Sequence, residues 1–160
     1  LYSPVLVEPQ IMLSDCPRLI GLDGNAKMGK SLGNAIYLSD DRDTVNKKVM
    51  NALTDKSRLQ KTDPGHPEVC TVSAYHKAFN AGEYENVCDM CRKGAIGCVA
   101  CKKNLSAVLN DMMDPFREKR AYYEAHLNEV KDIIHSGSQK AAEIGNETVR
   151  EVKEAMSVIV

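Results

Sequence analysis

The feature that most restricts the fold of this chain is an apolar stripe beginning after Gly97. Leu105, Val108, Leu109, Met112, Met113 and Phe116 recur at steps of three and four, which puts all six on one side of an α-helix. Weaker versions of the pattern surround it. Ser39 and Asp40 offer an N-cap, Asp41 and Asp43 suit a first turn, and Val45, Val49, Met50 and Leu53 follow on one face. Short helices are expected over Ser73 to Phe79 and around Glu83 to Met90, after the turn-rich stretch TDPGHP (62–67), whose two prolines and glycine stop a helix. Pro115 should kink or end the long helix, or open a new one from an Asp114 cap. A short helix carrying Val130, Ile133 and Ile134 should stop at His135-Ser136-Gly137. A last one, capped by Ser138, should turn Ala141, Ile144, Val149, Val152 and Met156 inward. The fold class is mainly α, with residues 39–160 an all-helical bundle.

Residues 1–38 read differently. Pro4, Pro9, Pro17 and the glycine-rich GLDGNAKMGKSLGN leave only short apolar pieces, Val5 to Val7 and Ala35 to Leu38, as strands or strand remnants. This segment cannot close a core alone and reads as the trailing edge of another domain. The first residue is not methionine, so the 160 residues are expected to be cut from something longer. A chain that is 27% charged and 43% hydrophobic is not wholly disordered. It has no apolar run of about 18 residues to cross a membrane, and LYSPVLVEPQ lacks the basic start and apolar stretch of a signal peptide. A net charge of −1 excludes a generally basic nucleic-acid coat. Charge is nevertheless uneven. Seven basic residues (Arg92, Lys93, Lys102, Lys103, Arg117, Lys119, Arg120) face three acidic ones between positions 92 and 120. Phosphate contact needs such a stretch, and Arg117, Lys119 and Arg120 are its candidates.

Four of the six cysteines, Cys88, Cys91, Cys98 and Cys101, fall within fourteen residues as Cys-x2-Cys-x6-Cys-x2-Cys, with Gly94 and Gly97 for the turn between them. Paired CxxC spacing is the commonest arrangement for structural zinc, each pair presenting two thiolates to one ion. Cys70 lies upstream and Cys16 far away. Nothing points to export, so the thiols indicate a metal in a reducing compartment and a cytoplasmic location. Spacing alone does not name the metal. His66, His76, His126 and His135 do not pair at ligand spacing, and Asp40, Asp41 and Asp43 read as helix-terminal charges, not a magnesium site.

KMGKS, Lys27 to Ser31, carries two lysines three apart in a loop of small residues. Gly24, Gly29 and Gly33 let the backbone approach a polyphosphate closely, and the paired charges would favour a leaving pyrophosphate most in the transition state.

GLDGNAKMGKSLGNAIYLSDD resembles the segment around the KMSKS signature of class I aminoacyl-tRNA synthetases, in the form found in tryptophanyl-tRNA synthetases. RLQKTDPGHPEVC, the cysteine cluster and KAAEIGNETVREVKEAM fit the same family in the same order. The resemblance implies the C-terminal part of a tryptophan–tRNA ligase. Residues 1–38 would be the C-terminal edge of its Rossmann-like nucleotide-binding domain, and 39–160 its helical anticodon-binding domain. The implied substrates are ATP with Mg2+, tryptophan and tRNA(Trp), and the family is typically homodimeric. Lys27 and Lys30 match the motif's two lysines, and Lys30 is the better candidate to stabilise the transition state. Lys27, Met28, Gly29, Lys30 and Ser31 are the implied ATP-binding residues. Gly29 stands where the motif usually has serine, so it keeps an N–H but loses a hydroxyl donor. Asn34 matches the family's LGN tail and could cap the turn or fix the loop. No HIGH-like sequence occurs here, so the chain alone is expected to be inactive, because nothing holds the substrate at attack distance.

Some tryptophanyl-tRNA synthetases carry a 4Fe-4S cluster on a motif resembling Cys-x22-Cys-x6-Cys-x2-Cys. Cys70, Cys91, Cys98 and Cys101 here read Cys-x20-Cys-x6-Cys-x2-Cys. The resemblance thus favours a cluster on these four thiolates over structural Zn2+, with Cys88 a spare thiol and the role structural. Without that ancestry, the same chain would be a stand-alone metal-binding helical module for RNA or protein. A tyrosyl-tRNA synthetase relative is a nearer alternative, disfavoured by the cysteines.

Overall fold

The computed structural model describes residues 4–14, 18–25 and 27–158; Cys16 and Pro17 lie outside them. The helices are α1 (Arg42–Asn51), α2 (Thr71–Phe79), α3 (Tyr84–Arg92), α4 (Cys98–Ala125) and α5 (Leu127–Ala155), with 3-10 turns at Lys30–Leu32 and Pro67–Val69. The described residues contain no strand, so the mainly-α expectation holds and the strand remnants expected at 5–7 and 35–38 do not form. A strand needs a ladder partner, and besides local turns residues 21–38 make isolated backbone bonds such as Leu22 N–H to Asn34 O at 2.9 Å and Leu53 N–H to Leu22 O at 2.7 Å.

The chain divides into two compact units, residues 13–118 and residues 1–12 with 119–160. The glycine-rich segment therefore belongs to the same unit as α1 to α3, whereas the sequence draws its boundary at 38/39.

The core of the 13–118 unit is built from Leu22, Val45, Val49, Ala52, Val72, Tyr75, Leu105, Leu109 and Met113. α1 starts one residue later than the Ser39–Asp40 cap predicts. Asp41 Oδ1 accepts the Thr44 N–H at 2.7 Å, while Asp40 is drawn away to the Tyr37 N–H and the Lys48 ammonium. The α4 stripe is buried at Leu105, Leu109 and Met113, but Met112 and Phe116 stay exposed. Lys102, one of the seven basic candidates, is buried and donates to Met50 O at 2.8 Å, close to the carbonyl end of α1.

Pro115 neither ends nor restarts α4, which runs through it. The missing N–H forfeits the bond to Asp111 O. Its neighbourhood is held from outside the ladder. Arg42 bridges Asp111 and Asp114, and Arg117 donates to Asp114 Oδ1 (2.7 Å), Asn110 Oδ1 (2.9 Å), Asn110 O (3.3 Å) and Asp40 O (2.9 Å).

In the other unit, Tyr122 stacks on His126 with ring centroids 4.1 Å apart, and its hydroxyl donates to Glu129 at 2.9 Å across the turn into α5. The expected stop at His135-Ser136-Gly137 is absent, because α5 continues through Gly137 and Gly145. One glycine inside a helix costs only about 1 kcal/mol against alanine, too little to end a helix of this length. α5 has no buried residue, so Ile144, Val149 and Met156, expected inward, lie exposed, as do Ile133 and Ile134. Periodicity shows that a helix has an apolar face; it does not supply the partner.

These burials predict opposite outcomes for two leucine-sized truncations. Leu109→Ala, at a site 2% exposed, should cost about 2–5 kcal/mol in denaturant unfolding followed by helical circular dichroism. Ile144→Ala, at a site 70% exposed, should stay within about 0.5 kcal/mol.

Candidate functional site

The lysine loop is built on the GLDG segment. Leu22 is buried in the helical core, and the Tyr75 hydroxyl donates to Ile20 O at 2.9 Å. Burial raises the Tyr75 pKa to about 12, so the phenol remains a neutral donor. Met28 packs its side chain against the same core, while Lys27 and Lys30 are exposed. From Lys30 the chain makes one 3-10 turn, closed by Gly33 at φ +65°, a conformation that favours glycine, with the Gly33 N–H on Lys30 O at 3.3 Å.

The buried side chain of Asn34 holds this loop. Its Oδ1 accepts the Gly29 N–H at 3.0 Å, and its Nδ2 donates to Lys27 O at 3.0 Å and to Asp23 Oδ1 at 2.9 Å. Asp23 also accepts from the backbone and side chain of Asn25. The Asn34 hydrogen bond is the largest cause that holds the Asp23 carboxyl below the usual carboxylate range. Gly29 therefore does not turn its N–H toward a ligand, as the sequence suggests; that donor is already used. Two lysine side chains and the exposed Ser31 are what the loop presents outward.

The thiols form a second centre. Cys70 precedes α2, Cys91 lies at the end of α3, and Cys98 and Cys101 occupy the first turn of α4. Gly94, at φ +64°, makes the turn between the last two helices, and a Cβ there would lie 2.2 Å from Thr62 O. Cys70 and Cys101 pack against the core. Cys91 and Cys98 face Arg58, whose Nη1 lies 3.8 Å and 3.9 Å from their sulfurs, while Nη2 donates to Lys61 O and to Ile96 O. Arg58 Nε is buried without a hydrogen-bond partner. A Cβ on Gly65 would come within 2.6 Å of Cys91 Sγ.

His76, fully buried, accepts from Asn80 on Nδ1 at 3.1 Å, so its proton sits on Nε2, 3.3 Å from Cys101 O and 3.5 Å from Cys101 Sγ. Burial lowers its pKa and keeps it neutral. Burial first, and then the neighbouring thiols, push Cys101 up to about 12 and raise Cys91. These thiols are protonated at neutral pH unless a metal displaces the protons. Among the described residues no three His, Cys, Asp or Glu donors converge as a single metal ion requires, and no disulfide is present. Cys88, the spare thiol, is buried with its sulfur 3.8 Å from Ser73 Oγ.

Asp55, not among the candidate residues, organises the loop that carries Arg58 and Gly65. Its carboxylate accepts Ser57 N–H and Oγ–H (2.9 and 2.6 Å) and His66 N–H and Nδ1–H (2.9 and 2.8 Å). A short-range Asp-x-Ser turn was the available signal. Of the phosphate candidates, Arg117 is half-buried and engaged inward, Arg120 pairs with Glu124 at 2.8 Å, and Lys119 is exposed.

The outward lysine pair is fastened to the helical core through Asn34 and Leu22. Residues 3–114 match the model of the class I tRNA synthetases for tryptophan and tyrosine (W and Y), and the chain belongs to that family. It is 40% identical over 160 residues to the tryptophan–tRNA ligase of Aquifex aeolicus, covering 99% of this chain and 40% of the relative. The ligase of Treponema pallidum is 39% identical, with 99% and 48% covered. The crystal structure of tryptophanyl-tRNA synthetase from Campylobacter jejuni superposes with a TM-score of 0.73 at 26% identity, over 88% of this chain and 45% of that one. The chain thus spans less than half the length of these relatives.

The Asp55 hydrogen bonds hold its carboxyl far below the ordinary 3.8. A depressed folded pKa contributes stability that is present above the unfolded value and lost as pH falls through the folded one. Acidification below about pH 4 should therefore loosen residues 55–66 before α4. Amide exchange followed by mass spectrometry checks this, and Asp55→Asn should loosen the same segment at neutral pH.

Proposed function

We propose that this chain supplies the nucleotide loop and the tRNA-facing helical part of a tryptophan–tRNA ligase. The observation that carries the reading is the Asn34-held loop, which presents Lys27 and Lys30 outward from a fixed backbone. Two ammonium groups on such a frame meet the charge that grows on the β- and γ-phosphates as tryptophan attacks the α-phosphate, and they are worth most in that transition state. ATP enters with Mg2+. The adenylate then passes tryptophan to tRNA(Trp), whose phosphates Lys119 and Arg120 would meet. Arg117 would first have to leave Asp114 and Asn110. In this reading residues 1–38 are the edge of the catalytic domain and 39–160 the anticodon-binding part of a cytoplasmic homodimer. No described helix is long and apolar enough to cross a membrane. Joined with the N-terminal half of a relative, the chain should restore tryptophan-dependent ATP–pyrophosphate exchange. Lys30→Ala should lower kcat by about 100- to 1000-fold, the loss typical of one transition-state donor. Exchange that is absent, or that responds to tyrosine alone, would overturn the assignment.

A 4Fe-4S cluster on Cys70, Cys91, Cys98 and Cys101 fits the donor set better than one zinc ion. The four thiols come from three segments, and N–H groups of Arg58 and His76 lie near three of the sulfurs, as donors to a cluster's sulfurs would. The buried Nε of Arg58 has no acceptor of its own, which a sulfide-rich group would provide. Such a cluster ties the Cys70 segment to the start of α4. Anaerobically purified protein should contain iron and acid-labile sulfide and show broad visible absorption, lost in Cys98→Ser. Colourless protein with stoichiometric zinc would reverse the choice.

A further inference from the structure

The side-chain amide of Asn34 is used completely. It is 4% exposed, accepts one N–H and donates both of its own, and the two loop groups it binds, Lys27 O and Gly29 N–H, flank Met28. The amide therefore spans the middle of the segment joining the two lysines. Asp23 buttresses it from behind, and Gly21 makes room: a Cβ there would lie 2.2 Å from Asn34 Nδ2. The same residues fasten to the helical core, because Leu22 bonds Asn34 O through its N–H and accepts the Leu53 N–H through its carbonyl.

Residue 29 is glycine, the residue with most backbone freedom to lose, and it has no side chain to anchor the loop. Something else must fix its position, and among the described residues Asn34 is the side chain bonded to it. We propose that Asn34, backed by Asp23, is a positioning residue for the lysine loop. It holds Lys27 to Lys30 in one backbone register against the helical core, so that both ammonium groups meet the polyphosphate already placed. This rests on the reading of the loop as an ATP loop. The residue touches no substrate and acts through Lys27 and Gly29.

Two measurements test it. In the intact chain the Gly29 amide should exchange slowly, and Asn34→Ala should expose it while the Val45 and Leu105 amides keep their protection. In the ligase assembled with an N-terminal half, Asn34→Ala should lower kcat for pyrophosphate exchange by about 100-fold, the loss expected of a misplaced group, with KM for tryptophan unchanged. Asn34→Asp sets a second carboxylate against Asp23 and should be as damaging. The double variant Asp23→Asn with Asn34→Asp restores the contact between those two side chains but still sets a carboxylate oxygen against Lys27 O, so Gly29 exchange should stay fast and kcat low. Unchanged Gly29 exchange in Asn34→Ala, or a kcat within about twofold of the unsubstituted assembly, would overturn the proposal. If the unsubstituted assembly shows no exchange activity, the ATP-loop reading fails, and the Gly29 amide still decides whether the clamp exists.

Discussion

Burial of Leu22 among the side chains of α1, α2 and α4 is the contact on which the 13–118 unit depends. α1, α2 and α3 have nine or ten residues each, too few to persist as isolated helices in water, so their stability comes from the face they bury. The segments between them have no ladder at all. Leu22 joins that core from a loop, and its burial is worth about 1.5–3 kcal/mol. Its backbone also receives Leu53 on one side and meets Asn34 on the other. One side chain in the core thus brings the lysine loop, the end of α1 and the Asp55 loop into one frame.

Within that frame, polar side chains do the local ordering. Asn34 fixes the lysine loop, Asp55 fixes residues 55–66, and Arg58 reaches from that loop to the two sulfurs and to Ile96 O. Each has several partners, as burial requires of a polar group. The charges that look functional in the sequence divide accordingly. Lys27 and Lys30 face outward, whereas Lys102 and Arg117 serve the fold by capping α1 and bracing α4 beside Pro115.

Much of this was legible in the residues, and the failures have physical causes. The stripe from Leu105 to Met113 named the core helix because periodicity reports burial directly when a partner is present. The same rule misplaced Ile144 and Val149, which repeat correctly along α5 but meet no partner. Gly137 is a predicted stop and Pro115 a predicted kink, end or restart, but their costs of roughly 1 and 3 kcal/mol are absorbed by a long helix and a bracing network. The lysine loop was visible from its spacing. Its clamp was only half visible, because Asn34 stood in the motif while its partner Asp23 is eleven residues away. Asp55 and Arg58 left no periodic trace, since each joins a near neighbour (Ser57, Lys61) to a group distant in sequence (His66, Ile96).

The thiol centre and the core are separable in energy. The apolar cluster closes without any thiol except the partly buried Cys70 and Cys101 at its edge, while Cys91 and Cys98 stand on the Arg58 side. Protonated thiols are small apolar groups that need no partner, so the core does not require metal to form. Arg58 faces Cys91 and Cys98 through Nη1, and its buried Nε finds no hydrogen-bond partner among the described residues. Thiolates at Cys91 and Cys98 would set negative charge opposite Arg58 Nη1 and strengthen that contact, stiffening residues 58–70 against α4. The lysine loop rests instead on the burial of Leu22 and on the amide of Asn34.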